Sequence, residues 1–357
     1  MIICYFGIYN PIESRNKIYM KGLRQNGVTI IECRDTTRGP LKYLKLFWKH
    51  FKIRNAYDFL IVGYPGHVVV PFAKFISKKP VILDALCSLY EGVIISREKH
   101  GAFFLREKYT RLVDRLAIRY ADIILLETNL QKKFFEENLN APAHKCVRLF
   151  TGADDEVFHL DSNIKKRENF TVVFRGKFLP EAGVPHIITA AKILENSGID
   201  FLIIGNGFLK RDIVTLFEEV KPANMTLILH NLDFQELKTK MQECHVSLGQ
   251  FGRHKRLSRT IPHKCFESLA LGLPYVTARA EGVAEILRDK ENCLFVHAGD
   301  SEDLAEKIRL LRDDHVLREN IARNGHALYL KECTPFALAK ELLSIIMKTY
   351  PYETHTN

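Results

Sequence analysis

The sequence contains no Cys-x-x-Cys pair and no other spacing typical of metal ligands, although it has eight cysteines. These cysteines are scattered, and most lie in or beside apolar stretches, which favours buried free thiols in a reducing compartment over disulfides or zinc. Asp-x-Asp is also absent, so the chain offers no such pair of aspartates for a divalent cation. No metal site is therefore expected.

No stretch of the chain reaches the roughly 18 uncharged apolar residues that a membrane-spanning helix needs. The first residues, Met-Ile-Ile-Cys-Tyr-Phe-Gly, have no basic segment before their apolar run, which predicts a β-strand instead of a signal peptide. A cytoplasmic protein is therefore expected. Its 357 residues are enough for two domains, each with its own hydrophobic core.

The formal net charge of +10 is unevenly distributed along the chain. Residues 1–164 carry 25 Lys and Arg against 17 Asp and Glu, whereas residues 165–357 are nearly balanced. Seven cations lie between Arg34 and Arg54 with Asp35 as the one acidic residue, and a second basic run spans residues 97–119. This excess indicates an anionic partner for the N-terminal half.

Residues 40–51, within the first basic run, are predicted to form a helix with lysines beside an apolar stripe. The stripe consists of four large side chains: Leu44, Phe47, Trp48 and Phe51. This composition is typical of an interfacial helix on an anionic leaflet, so residues 40–54 are a candidate membrane contact. An ordinary core-facing helix with a solvated basic face explains the pattern equally well. Nucleic acid is not expected, because no recognised nucleic-acid module accompanies the basic residues.

Short apolar segments alternate with longer amphipathic ones along the whole chain, a pattern typical of doubly wound α/β domains. The pattern restarts after a charged segment at residues 163–168, which predicts one domain over residues 1–164 and a second over residues 165–334. Strands are predicted at residues 2–6, 29–32, 59–62, 80–84, 123–127, 146–150, 170–174, 201–204, 226–230, 246–248, 275–277 and 293–296.

A motif in the second half carries the strongest chemical indication. Residues 259–277, Arg-Thr-Ile-Pro-His-Lys-Cys-Phe-Glu-Ser-Leu-Ala-Leu-Gly-Leu-Pro-Tyr-Val-Thr, are predicted to form a helix, a turn and a buried strand. Lys264 and Glu267 lie on one face near the start of that helix. A helix N-terminus with a lysine suits a phosphate, and a carboxylate one turn later can accept hydrogen bonds from sugar hydroxyls.

The order Pro-x-Lys-x-Phe-Glu, Gly-x-Pro, strand and Gly-x-x-Glu resembles the donor-binding segment of family-four, group 1 glycosyltransferases. The resemblance covers nearly the whole chain and is strongest over residues 172–296. It implies an α/β fold of the GT-B type, in which two Rossmann-like doubly wound domains face a central cleft. It also implies that a last helix, within residues 335–357, returns to the N-terminal domain.

The same resemblance implies which residues of the second half bind the donor. Phe-Arg-Gly-Lys-Phe-Leu-Pro-Glu-Ala-Gly at residues 174–183 resembles the family's Gly-Arg-x-x-x-x-Lys-Gly, with Lys177 in place of the arginine and Ala182 in place of the lysine. Lys177 and Lys264 would hold a diphosphate without a metal or other cofactor, and Glu267 would hold the ribose. Further donor contacts are implied for Gly176, Gly205, Gly207, Gly282, Val283 and Glu285.

Arg259 marks a departure from the family pattern. Many members carry two glutamates separated by seven residues; Glu267 fits the second, and Arg259 stands where the first would be. A cation there cannot accept hydrogen bonds from the sugar, so we expect Arg259 to contact phosphate and to supply the charge missing at Ala182. Branches with Pro-x-Lys-x-Phe-Glu often lack the first glutamate, so the chain resembles that subgroup.

Two elements of the N-terminal half are similar to family features. Tyr-Phe-Gly-Ile-Tyr-Asn-Pro at residues 5–11 resembles the first loop, in which Gly7 lets the backbone approach the donor phosphate; a glycine needed only for the turn is the alternative. Asp84 ends a predicted strand and is a candidate acceptor-side carboxylate, although a capping or turn role is an equal alternative.

The resemblance implies a retaining transfer of a sugar from a nucleoside-diphosphate sugar to an acceptor hydroxyl, on a glycan or a polyisoprenyl-linked carrier. The protein would then be cytoplasmic or peripheral on the inner face of the membrane. Ala182 and Arg259 keep a second hypothesis open, a non-catalytic subunit that binds sugar nucleotides. A nucleotide-sugar epimerase of the same architecture is a third, less favoured because no acid/base set is recognisable.

Overall fold

The computed structural model describes residues 1–95 and 103–351. Two cations of the second basic run, Arg97 and Lys99, lie outside these ranges, as do residues 352–357 of the predicted C-terminal return. The chain forms two compact units: Met1–Gly152 with the segment that begins at Thr334, and Ala153–Cys333. Each unit has its own hydrophobic core.

Residues 153–164, which the sequence analysis assigned to the first domain, belong to the second unit. The Nζ atom of Lys238 lies 2.7 Å from Nε2 of His159. The ring centroid of Phe158 lies 6.5 Å from that of Phe234. Both contacts join residues far apart in sequence, and the composition of the linker therefore could not reveal them.

The first unit contains six parallel strands: β1 (Ile2–Gly7), β2 (Thr29–Arg34), β3 (Phe59–Val62), β4 (Val81–Leu86), β5 (Ile123–Leu126) and β6 (Cys146–Arg148). Their order in the sheet is β2-β1-β3-β4-β5-β6. The central strands are buried on both faces, as expected for a parallel sheet that helices cover on both sides.

The helices of the first unit are α1 (Ser14–Gln25), α2 (Leu41–Ile53), α3 (Val70–Ile76), α4 (Phe103–Tyr120), α5 (Asn129–Leu139) and, from the end of the chain, α12 (Pro335–Thr349). Helix α12 packs against α1. Asn26 Nδ2 donates a hydrogen bond to the carbonyl of Phe336 at 3.0 Å. Gly22 lies where Pro335 and Ala339 approach α1, and the absence of a side chain allows that approach.

The second unit repeats this architecture with β7 (Phe170–Lys177), β8 (Ile199–Asn206), β9 (Met225–Ile228), β10 (Val246–Leu248), β11 (Tyr275–Ala278) and β12 (Leu294–Val296). The order in its parallel sheet is β12-β11-β10-β7-β8-β9. Its helices are α6 (Val184–Ile193), α7 (Lys210–Val220), α8 (Phe234–Gln242), α9 (His263–Ala270), α10 (Ser301–Asp313) and α11 (His315–Glu332).

Each predicted strand overlaps an observed one, and β7 runs three residues further than predicted, to Lys177. All eight cysteines are buried free thiols, as the scattered spacing predicted. Among the helices that the structure describes, none is both long enough and apolar enough to cross a bilayer.

Candidate functional site

The strand order of the second unit reverses between β7 and β10. From β7 the sheet continues to β8 and β9 on one side, and from β10 it continues to β11 and β12 on the other. Ligands of open parallel sheets bind outside the carboxyl ends of the strands at such a switch point. The end of β7 and helix α9, which follows β10, lie there, so the topology brings the predicted Gly176, Lys177, Lys264 and Glu267 to one place.

The predicted glycines of β7 and β8 are neighbours across this part of the sheet. Gly176 pairs in register with Gly205. Gly176 has φ +151° and Gly207 has φ +156°, which L side chains rarely adopt. A Cβ atom on Gly176 would lie 2.8 Å from Nζ of Lys264, so the lysine end occupies the space that this glycine leaves open.

Lys264 is the unusual group of the site. Its side chain is only 7% exposed, and its ammonium has no hydrogen-bond partner among the described residues. The Nζ atom lies 3.8 Å from the ring centroid of Phe174. Burial lowers the pKa of Lys264 well below its usual value, and the nearby Arg175 guanidinium lowers it further. A buried cation without a partner is costly, so an anionic ligand at Nζ would be strongly stabilised.

Glu267 is 2% exposed, and an arginine and a histidine lie beside its carboxylate. Its carboxylate contacts the Arg175 guanidinium, and Oε1 lies 2.9 Å from Nδ1 of His263. Burial lowers the pKa of Arg175 to about 10, which leaves the side chain charged at neutral pH. Arg175 and His263 hold the carboxylate in a fixed orientation. A carboxylate that accepts hydrogen bonds from ligand hydroxyls needs to be oriented in this way.

Arg175 and His263 were not among the residues predicted from the sequence. The signal for Arg175 was present, since an arginine directly follows the apolar run Val172–Phe174 of β7. Its partner could not be predicted, because the contact with Glu267 depends on the pairing of β7 with β10, which precedes α9. The predicted stand-in for the family's arginine, Lys177, is exposed at the end of β7.

The remaining predicted residues of the second unit lie on two loops. Gly282 packs against the backbone of Arg259 and Thr260, and a Cβ atom there would lie 2.7 Å from the Thr260 nitrogen. Val283 is buried, so its side chain is not open to a ligand. Ala182 is 1% exposed within the core, and its carbonyl accepts a hydrogen bond from the Phe251 amide at 3.2 Å. The diphosphate and donor roles given to these residues stay predictions.

In the first unit, Gly7 ends β1 with φ +128° beside β3, at the point where the order of that sheet reverses. Asp84 is fully buried, and its Oδ1 accepts a hydrogen bond from Arg15 Nε at 2.7 Å. Burial raises the pKa of Asp84, and the Arg15 guanidinium opposes that rise. The partner of this carboxylate within its own unit is thus Arg15, whose terminal nitrogen also donates to Thr151 Oγ1 at 2.9 Å.

Helix α2 has one buried face and one exposed apolar stripe. Leu46 and His50 are buried against the core of the first unit. The predicted stripe faces solvent instead: Leu44 is 56%, Phe47 37%, Trp48 55% and Phe51 47% exposed. The helix therefore contacts the core through residues outside the predicted stripe.

Residues 156–327, just under half of the chain, match the family model described as glycosyl transferases group 1. CapM of Staphylococcus aureus, a capsular polysaccharide biosynthesis glycosyltransferase, is 26% identical over 71% of this chain and 66% of its own length. The alpha-D-kanosaminyltransferase of Streptomyces kanamyceticus is 23% identical over 80% of this chain and 71% of its own length. The chain spans 60% and 43% of two further curated relatives, so it covers two thirds or less of several of them.

The crystal structure of Anabaena Alr3699/HepE in complex with UDP and glucose superimposes on this chain with a TM-score of 0.72. The superposition covers 97% of this chain and 99% of the other, at 16% identity, so the likeness concerns the fold. The predicted two-domain α/β fold of the GT-B type is confirmed. Together the comparisons show that this chain is similar to group 1 glycosyltransferases.

Proposed function

We propose that this protein transfers a sugar, of the hexose type, from a nucleoside-diphosphate sugar to an acceptor hydroxyl in glycan or lipid-linked glycan synthesis. The observation that carries the proposal is the buried ammonium of Lys264 beside Gly176 at the switch point of the second sheet. A diphosphate would supply the hydrogen-bond acceptors that this ammonium lacks. The family match of residues 156–327 supports the same activity.

The chemical requirement is stabilisation of the leaving diphosphate. Negative charge grows on it as the bond between the anomeric carbon and the diphosphate oxygen breaks. Lys264, the first amides of α9 and Lys177 at the end of β7 would stabilise that charge. Glu267, oriented by Arg175 and His263, would accept hydrogen bonds from the ribose hydroxyls. Lysines would thus stabilise the charge of the diphosphate, a role that a metal ion has in other enzymes.

Retention of configuration is part of the proposal and follows the family resemblance. The acceptor oxygen bonds to the anomeric carbon on the face that the diphosphate leaves, and the acceptor proton passes to the leaving phosphate oxygen. This route needs no carboxylate nucleophile, unlike that of retaining glycosidases. Arg259 in place of the first family glutamate belongs to the same proposal, with a contact to phosphate as its role.

Donor turnover tests the proposal. The protein is incubated with a panel of nucleotide sugars and a membrane lipid extract, and mass spectrometry follows the donor and the lipids. We expect one donor to be consumed with transfer to a lipid, at least about tenfold slower with Glu267→Ala, because a buried charged hydrogen-bonding group is lost. Glu291→Gln, at an exposed glutamate of the same unit, is the matched control.

Two outcomes would contradict a transferase. Nucleotide binding without consumption of any donor, with every acceptor fraction, favours the non-catalytic binding subunit. Epimerised donor that accumulates without an acceptor favours the epimerase.

We further propose that the acceptor lies on an anionic membrane surface and that α2 contacts this surface. The exposed rings of Phe47, Trp48 and Phe51 have centroids 5.6 to 6.2 Å apart and form one aromatic cluster. Lys42 and Lys52 form no ion pair within the described ranges, whereas Lys49 is paired with Asp35 at 2.9 Å. Free cations beside exposed aromatics suit an anionic leaflet.

Helix α4 extends this surface. Leu105, Tyr109 and Leu112 recur at helical spacing on it and are 75%, 55% and 54% exposed. Tyr109 lies close enough to Tyr43 of α2 to raise the pKa of Tyr43, whose burial raises it more. Large apolar side chains exposed together on α2 and α4 are typical of an interaction surface.

The single tryptophan of the chain, Trp48, allows a direct test of the membrane proposal. We expect its fluorescence to shift to the blue with vesicles that contain phosphatidylglycerol and to change little with phosphatidylcholine alone. Phe51→Glu should weaken vesicle binding at least about tenfold, because burial of a phenylalanine side chain is worth about 1.5–3 kcal/mol. Val316→Glu, at a 68% exposed valine of the second unit, should bind as the wild type does. An unchanged spectrum of the wild type on anionic vesicles would refute it.

A further inference from the structure

A cavity lies in the second unit, and neither Lys264 nor Glu267 lines it. Its volume is about 360 Å³. Its walls come from residues 252–255 and 257–258, from residues 278–281 at the end of β11 and from Ala298 after β12. The carboxyl ends of β11 and β12 therefore open onto it, on the same edge of the sheet as the switch point. A cavity of this size suits a small ligand.

The charged residues of this cavity are mostly cations: Arg253, Lys255 and Arg279, against Glu281. Arg253 Nε donates a hydrogen bond to the Ala298 carbonyl at 2.9 Å, which orients the guanidinium and leaves its terminal nitrogens for another partner. Within residues 1–95 and 103–351, none of the three cations forms an ion pair. An anionic ligand would meet three positive side chains that have no carboxylate of their own.

The backbone around the cavity is held firmly. The Arg279 amide donates to the Val296 carbonyl at 2.8 Å, and the Gly299 amide donates to the Phe251 carbonyl at 2.7 Å. Gly299 has φ +70°, and a Cβ atom on it would lie 2.8 Å from Arg253 Nε. The absence of a side chain at Gly299 thus leaves space for the Arg253 guanidinium. Sites held in this way lose little entropy when a ligand binds.

The apolar part of the lining restricts the kind of anion. Leu257, Ala278, Ala280 and Ala298 face the same space as the cations. A sugar ring presents an apolar face and polar edges, and a planar carboxylate matches the paired donors of an arginine. Residues 257–258 of the wall lead directly to Arg259 and α9, so the cavity adjoins the segment to which we assigned the donor.

We propose that this cavity binds the carboxylate of an acidic sugar, of the hexuronic acid class, through Arg253 and Arg279. The inference deepens the proposed function and rests on it for its biological use, since the acidic sugar would be either the unit transferred or a unit of the acceptor glycan. Both sources share the same recognition chemistry, a carboxylate on a pyranose ring.

Binding of free D-glucuronate and D-glucose to the full chain tests the site without any nucleotide. Saturation-transfer NMR and titration should show glucuronate bound about tenfold or more tightly than glucose, because a charged hydrogen bond is worth about 1.5–3 kcal/mol. The double variant Arg253→Gln/Arg279→Gln should lose the preference. Arg309→Gln, an exposed arginine of the same unit, should keep it. Thermal unfolding checks that the variants are folded.

Two nucleotide arms identify the source of the acidic sugar. Tighter binding of UDP-glucuronate than of UDP-glucose, lost in the double variant, assigns the cavity to the donor. Glucuronate binding that persists with UDP-glucose saturating assigns it to the acceptor.

Equal binding of glucuronate and glucose, a preference that survives the double substitution, or binding of inorganic phosphate alone would overturn the proposal. UDP binding by the wild type is measured separately. If neither UDP nor any other nucleoside diphosphate binds, the proposed function is contradicted. A site that binds free glucuronate would not be contradicted by that result.

Discussion

Lys264→Met is expected to weaken the binding of a nucleoside diphosphate by about 10-fold to 100-fold, since a charged hydrogen bond is worth about 1.5–3 kcal/mol. Methionine keeps most of the volume in contact with Phe174 and Gly176 but removes the ammonium. Titration calorimetry with UDP, GDP, ADP and dTDP gives the affinity of whichever binds most tightly. Sugar transfer should fall by at least as much, because the charge of the leaving diphosphate grows in the transition state.

Lys177→Met is the matched comparison for this variant. Lys177 is exposed at the end of β7, so water screens its charge, and its loss should cost clearly less than the loss of Lys264. If the Lys177 variant lost more affinity than the Lys264 variant, the diphosphate would be held at the strand end and our assignment would be wrong.

From the burial of Lys264 we also expect the affinity for a nucleoside diphosphate to depend on pH, with a sign that can be worked out. In the ligand-free protein burial holds the pKa of Lys264 well below its usual value, whereas a bound diphosphate favours the ammonium form. Binding should therefore take up a proton, and affinity should fall as pH rises between the two pKa values, by up to about tenfold per pH unit. Calorimetry in two buffers of different ionisation enthalpy, above about pH 7.5 where the phosphates are already ionised, measures the uptake. Lys264→Met should abolish it, and uptake that persists in this variant would point to another group.

Asp84→Asn is expected to destabilise the first unit by about 3–5 kcal/mol, because it leaves the buried Arg15 guanidinium without its anion. Both side chains of this ion pair are 1% exposed, so water cannot replace the missing carboxylate. The thermal midpoint should fall by about 10 °C in a unit of this size. Urea unfolding followed by circular dichroism gives the change in free energy.

Two further variants show whether the loss comes from an unpaired charge. Glu137→Gln removes an exposed partner of Lys133, 3.8 Å away, and should cost less than about 1 kcal/mol. Arg15→Met/Asp84→Leu removes both charges of this pair and should recover much of the stability, since neither partner is left without the other. If Asp84→Asn is as stable as the wild type but inactive, the predicted acceptor-side role gains over the structural one.

The fold was predictable because its evidence is local and repeated. Strands such as β3 and β11 are short apolar runs. Glycines at or beside the ends of β1, β7 and β8 have positive φ angles, which are typical of turns: Gly7, Gly176 and Gly207. The boundary between the units was placed in the charged linker, although residues 153–164 pack on α8 through His159 and Phe158. Composition locates a polar segment, but packing decides to which unit it belongs.

The chain by itself determined the alternation of strands and helices and the presence of a lysine and a glutamate at the start of one helix, because backbone preferences and spacing act over a few residues. Only the tertiary structure decided that Lys264 is buried without a hydrogen-bond partner, that Arg175 reaches Glu267 and that Asp84 is bound by Arg15. It also decided that the aromatic stripe of α2 faces solvent while Leu46 faces the core. Burial and partnership depend on which strands become neighbours, and that order is set by the packing of the whole unit.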